Sequence, residues 1–151
     1  MIQRIQSLYL LLTTALLIAV LFIPFGVFTT SYGVCEYTAF SIAGIAGKSA
    51  LPLWSLPLLT LLSSAVAFVG IFMFKKRALQ MRICLINSLL IALLALGAPA
   101  LLYMVKSDML LADFKIGFGF ALPIIALIFN FLAVKAIKKD EKLVKSWDRI
   151  R

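Results

Sequence analysis

The stretch IFMFKKRALQMRIC, residues 71–84, sets five basic or amide side chains within eight positions, between two long apolar runs. These are Lys75, Lys76, Arg77, Gln80 and Arg82. A helix crosses a bilayer core in about 20 predominantly apolar residues, and the flanking runs, 53–74 and 83–105, are both long enough. A basic turn between two such runs predicts a helical hairpin whose connection stays on one side of a membrane. Two further runs of the same kind lie outside it, at 5–28 and 116–137, and none of the four has a charge in its middle.

Composition points the same way. Of 151 residues, 64% are hydrophobic and 14% charged, whereas soluble domains are nearer half apolar and about a quarter charged. A core of this size cannot hold so many apolar side chains, so lipid has to be the second solvent. The expected fold is an all-α membrane protein, a four-transmembrane-helix bundle over 1–137 with a basic amphipathic C-terminal helix over 138–151. Its connections are predicted at 29–52, 75–82 and 106–115. The first run exceeds the roughly 7–15 apolar residues of a signal-peptide core and is expected to remain as a span.

The net charge of +9 is distributed unevenly. Arg4, then Lys75, Lys76, Arg77 and Arg82, then Lys135, Lys138, Lys139, Lys142, Lys145, Arg149 and Arg151 fall on one side of the four-span pattern. The other side has Lys48, Lys106 and Lys115, accompanied by Glu36, Asp108 and Asp113. Basic residues concentrate in cytoplasmic segments, which predicts that both termini and the 75–82 turn are cytoplasmic. Tyr9 and Trp147 would mark the inner interface, Trp54 and Tyr103 the outer one.

The reactive inventory is thin. Histidine is absent, which removes the commonest general base and metal ligand. The six carboxylates all lie outside the spans. Asp140 and Glu141 are adjacent, so on a helix they point about 100° apart rather than converging. Cys35 and Cys84 fall on opposite sides of a bilayer and cannot pair; Cys84 reads as a small packing residue. GFGF, residues 117–120, reads as a place where small residues let helices approach closely. A non-enzyme without cofactor or metal is expected.

Polar residues inside the spans carry what signal remains. Asn87 and Asn130 lie at neighbouring depths, which suits either an interhelical polar pair or a site for a substrate or lipid headgroup. Ser63, Ala67 and Gly70 form a smooth stripe suited to helix packing. Pro24, Pro57, Pro99 and Pro123 all fall toward the predicted outer ends, where they would kink and splay the bundle. Loose alternation over Tyr32, Val34, Thr38, Phe40 and Ile42 suggests a short strand, a hairpin cap or a re-entrant segment.

KAIKKDEKLVKSWDRIR, residues 135–151, sets Ala136, Leu143, Trp147 and Ile150 on one helical arc among basic residues. Such a helix suits an anionic inner leaflet, a protein partner or RNA phosphate. The candidate cytoplasmic docking or lipid-headgroup face is therefore Arg4, Lys75, Lys76, Arg77, Arg82, Lys138, Lys139, Lys142, Lys145, Trp147 and Arg149. Its partners would be anionic lipid, another protein, a second copy of the chain, or nucleic acid through the tail.

MIQRIQSLYLLL at the start, IFMFKKRALQMRIC in the middle and KAIKKDEKLVKSWDRIR at the end together resemble the bacterial membrane-protein family called domain of unknown function 4293. The resemblance covers essentially the whole chain. It implies four spans in a bacterial inner membrane and carries over neither an activity nor any site residue. The favoured reading is a non-enzymatic adaptor or accessory subunit with a basic cytoplasmic face. The alternative is a small transporter, channel or lipid-binding protein.

Overall fold

The computed structural model describes residues 2–30, 33–40, 42–43, 54–74, 76–109 and 113–148. The chain is mostly helical, and four of its helices are long and apolar enough to cross a membrane. They are α1 (Ile2–Phe22), α2 (Ser55–Phe72), α3 (Arg77–Met109) and α4 (Ala121–Asp148). Neighbours in the bundle are α1 and α2, α2 and α3, α3 and α4, and α4 and α1, which closes a four-sided ring.

The buried positions follow one rule in every helix. In α1 they are Gln6, Leu10, Thr13, Leu17 and Val20; in α3 they are Gln80, Cys84, Asn87, Ile91, Leu94 and Ala98. Both series step alternately by four and three, and α2 repeats the pattern with Leu56, Thr60, Ser63, Ala67 and Gly70. That spacing places one seam of each helix toward its neighbours, as in left-handed bundles. The seam is rich in small and polar residues, while Leu58, Leu89, Leu96 and Phe131 lie on the exposed surface. Lipid explains the inversion, because leucine gains nothing by leaving hydrocarbon for a protein interior.

The expected all-α architecture is amended at one end. Segments β1 (Gly26–Thr30), β2 (Gly33–Tyr37), β3 (Ile42–Ala43) and β4 (Asp113–Ile116) form an antiparallel sheet in the order β3-β2-β1-β4. Phe28 pairs with Cys35 on β2 and with Phe114 on β4. The first helix thus stops at Phe22, and residues 26–28, expected at the end of the 5–28 span, belong to a strand. Pro24 accounts for the break, since it cannot donate to a continuing helix. Part of the 29–52 loop is the hairpin, and 31–32, 41 and 44–52 lie outside the described residues.

The sheet closes its end of the bundle with aromatic packing. Phe25, Phe28 and Tyr37 are fully buried, and Phe28 packs against Phe114 with the rings tilted and their centroids 4.7 Å apart. Phe120 meets Phe25 at 5.2 Å. The Tyr37 hydroxyl donates to the Ala98 carbonyl at 3.0 Å, one residue before Pro99. The end that four prolines were expected to splay is therefore filled. Pro57 and Pro123 sit in the first turns of their helices, where a missing N–H costs nothing; Pro99 alone is interior among the described helices.

The GFGF segment approaches backbone rather than another helix. Residues Phe118–Phe120 form a 3-10 turn leading into α4. The Gly117 N–H donates to the Phe25 carbonyl at 2.8 Å, and the Gly119 N–H to the Pro24 carbonyl at 3.1 Å. A Cβ on Gly119 would stand 2.5 Å from the Pro24 oxygen, whereas one on Gly97 would meet nothing within 4 Å.

Two outcomes follow. Gly119→Ala displaces backbone and should cost at least about 2 kcal/mol, while Gly97→Ala, in an open helical position, should be neutral or gain up to about 1 kcal/mol; thermal unfolding in a membrane mimetic compares them. Burial pushes the Tyr37 phenol from 10.0 up to about 12. The folded state therefore holds this proton more tightly than the unfolded chain, and that stabilisation is complete below pH 10 and lost as the pH rises through about 12. Phenolate absorbance should show a late-ionising tyrosine near pH 12, removed by Tyr37→Phe at a stability cost of about 0.5–1.5 kcal/mol.

Candidate functional site

Two apolar clusters occupy the two ends of the bundle. Leu17, Val20, Ile91, Leu94 and Ala126 belong to the one beneath the sheet; Leu10, Cys84, Ala133 and Ile137 belong to the other. In α1, α3 and α4 the residue between them is polar: Thr13, Asn87 and Asn130, each fully buried. The Ser63 hydroxyl donates to Asn87 Oδ1 at 2.7 Å. Asn87 Nδ2 reaches Asn130 Oδ1 at 3.5 Å, and Asn130 Nδ2 donates to the Cys84 carbonyl at 2.9 Å. Thr13 spends its hydroxyl on the Tyr9 carbonyl of its own helix. The two asparagines thus lie together across α3 and α4, and their amides are engaged with protein groups.

The basic end departs from the expected loop. Residues 77–82 are not a connection but the first turns of α3, which leaves a connection shorter than expected after α2 ends at Phe72. Ala78, Leu79 and Gln80 are good helix formers, and charge alone does not stop a helix. Gln80 is buried, and its Nε2 donates to the Gly70 carbonyl at 2.9 Å, covering the open C-terminal end of α2. Arg77 lies 3.3 Å from Asp140 Oδ2, so it joins α3 to α4. Asp140 therefore pairs across helices.

The predicted docking residues consequently separate. Lys76, Arg82, Lys138 and Lys139 are exposed, and Arg77 is committed to Asp140. Lys75 and Arg149 lie outside the described residues, and for Arg4, Lys142, Lys145 and Trp147 only the helical backbone is described. The helix α4 runs without interruption through 138–148, so the tail continues the fourth span.

A groove of about 680 Å³ opens at this end between α1 and α4. From α1 it takes Ile5 and Tyr9, one turn apart; from α4 it takes Leu132 and Ala136 as floor and Lys135, Lys138 and Lys139 as rim. Its inner edge is held where Gln6 Nε2 donates to the Ala136 carbonyl at 3.3 Å. Tyr9 also leans on Phe129, with ring centroids 6.2 Å apart. Sequence reading used Lys135 only to count charge and Tyr9 only as an interface marker. The i, i+3, i+4 spacing of the three lysines was visible, but their meeting with α1 required the tertiary arrangement.

Among the described residues no group of His, Cys, Asp or Glu is placed to hold a metal ion. The interior polar layer has a mechanical consequence instead. Asn130→Ala removes the link among α3, α4 and the Ser63–Asn87 pair, and should cost about 1–3 kcal/mol. Asn130→Asp, at neutral pH, should cost more, because it introduces an unpaired buried charge. Thermal unfolding in one lipid mixture ranks the pair.

A search among curated proteins gives no match to this chain. The model of the family described as domain of unknown function (DUF4293) matches residues 2–150, a region that includes all four helices, the sheet and the basic end. The chain belongs to that family.

Proposed function

We propose that this protein is a non-enzymatic adaptor or accessory subunit of a bacterial cytoplasmic membrane, with both termini inside and its basic end turned to a partner. The observation that carries this reading is the continuity of α4. It leaves the bundle as an unbroken helix to Asp148, carrying exposed Lys138 and Lys139 beyond the apolar stretch. A rigid basic extension presents charge at a fixed distance from the bilayer, which an untethered tail does not. The asymmetric distribution of arginine and lysine supports the orientation. Exposed Trp54 and Tyr103 at the sheet end suit the opposite interface.

The engaged state of Asn87 and Asn130 favours an interior that holds helices together over one that passes a solute. The transporter alternative requires those amides to face a continuous polar path, and each already has a protein partner.

Orientation is tested with introduced thiols, because Cys84 is buried and silent from either side. In a Cys35→Ser, Cys84→Ala background, Glu36→Cys should react with an impermeant reagent in intact spheroplasts. Lys139→Cys should react only after permeabilisation; the reverse pattern overturns the orientation. Photocrosslinking from position 139 should capture a stoichiometric protein, with capture reduced at least about fivefold by Lys138→Gln plus Lys142→Gln. Recovery of lipid alone, unaffected by these changes, ends the adaptor reading.

A further inference from the structure

The groove between α1 and α4 combines features that one class of molecule satisfies. Ile5, Leu132 and Ala136 give it an apolar lining, and Lys135, Lys138, Lys139 and Tyr9 add three ammonium groups and a phenol. The change from apolar to basic occurs along α4 within about two turns, between Leu132 and Lys138–Lys139, so the groove straddles the level at which hydrocarbon gives way to headgroups. Lys135, Lys138 and Lys139 are all exposed. Asp140, the acid adjacent to them, is paired with Arg77, and among the described residues no ion pair engages the three lysines. Among the described residues their positive charge is thus unpaired.

We infer that this groove is a binding site for one anionic phospholipid. Its phosphate lies among Lys135, Lys138 and Lys139, with the Tyr9 hydroxyl as a further donor, and the upper part of one acyl chain lies along Ile5, Leu132 and Ala136. The small side chain of Ala136 leaves the room, and the Gln6 bond to its carbonyl ties α1 to α4 beside it. A soluble anion would have no use for the apolar floor, and a neutral lipid none for the lysines. Lysines that reach along apolar surface to a headgroup keep their stems in contact with it, so charge and hydrophobic contact act on the same ligand.

This inference rests on the reading above only in bringing the basic end to the membrane surface; it requires no protein partner. Native mass spectrometry of the full chain, released from micelles holding phosphatidylglycerol and phosphatidylcholine of equal chain length, tests it. One phosphatidylglycerol should be retained per chain, with at least about tenfold preference. Lys135→Gln with Lys139→Gln should bring the preference within about twofold, and Ala136→Leu should lower retention of the lipid without changing charge. Lys115→Gln with Arg82→Gln, which removes exposed cations elsewhere, should leave both unchanged, and millimolar inorganic phosphate should not displace the lipid.

Absence of a preference overturns the site, as does its equal loss in the Lys115 and Arg82 variant, or displacement by phosphate, which would mark a simple anion site. Photocrosslinking from position 139 on the Lys135 and Lys139 background separates the two proposals, with the photoreactive group replacing the glutamine at 139. Partner capture that persists without lipid retention leaves the adaptor reading standing. Lipid retention without any partner leaves only the groove.

Discussion

The layer of Thr13, Ser63, Asn87 and Asn130 is the constraint around which the bundle is arranged. In water a helix declares its inner face by being apolar there. In lipid the outer face is apolar too, and the hydrophobic effect stops discriminating between them. What remains is the cost of leaving a hydroxyl or amide without a partner in hydrocarbon, which is several kilocalories per mole in order of magnitude. Those groups must turn inward and find protein partners, as Ser63, Asn87 and Asn130 do in one another and Thr13 does in its own helix. Rotation of α3 is set by Asn87 and that of α4 by Asn130, while Ser63 brings α2 into the same plane. The apolar clusters above and below then fall into register, with Leu17 and Ile91 on one side and Leu10 and Ile137 on the other.

How much of this was legible in the residues depended on range. The four spans were, because length and apolarity are local properties and α1 to α4 lie within the predicted runs or extend them. The break after Phe22 was not, since GVF continues an apolar run and a short apolar run does not distinguish strand from helix. The strand DFKI was still less visible: four residues with little alternation become a strand only because β1 is beside them, and β1 is beside them because α1 and α4 are neighbours. For the same reason the groove escaped notice. Lys135 and Tyr9 are 126 positions apart, and no spacing rule joins them.

The segment 75–82 gave a different kind of error. Its charges suggested a solvated connection, yet Gln80, Cys84 and Asn87 already carried the four-three spacing of the α3 seam. Position on that seam outweighs charge density, because a helix can expose Arg82 and Lys76 while burying Gln80. The basic cluster is therefore of mixed purpose. Gln80 and Arg77 are spent on closing the fold, and among the described residues the charges available to outside molecules include those of Lys76, Arg82 and the exposed lysines of α4. A count of cations would have treated them as equivalent.

The pairing of β1 with β4 has a consequence for the order in which the molecule can be completed. During synthesis β1 and its hairpin partner emerge immediately after the first helix, but β4 follows more than eighty residues later. Until then one long side of β1 is an open edge, with backbone donors and acceptors that have no strand to meet. Closure of the sheet, and with it the seating of Phe28 against Phe114 and of Gly117 and Gly119 against Pro24 and Phe25, waits for the second helical hairpin to be laid down. The cap is in this sense a latch: it fastens the two ends of the chain's membrane domain only once every span is present, and a chain truncated before β4 would carry an unfastened edge in place of a finished end.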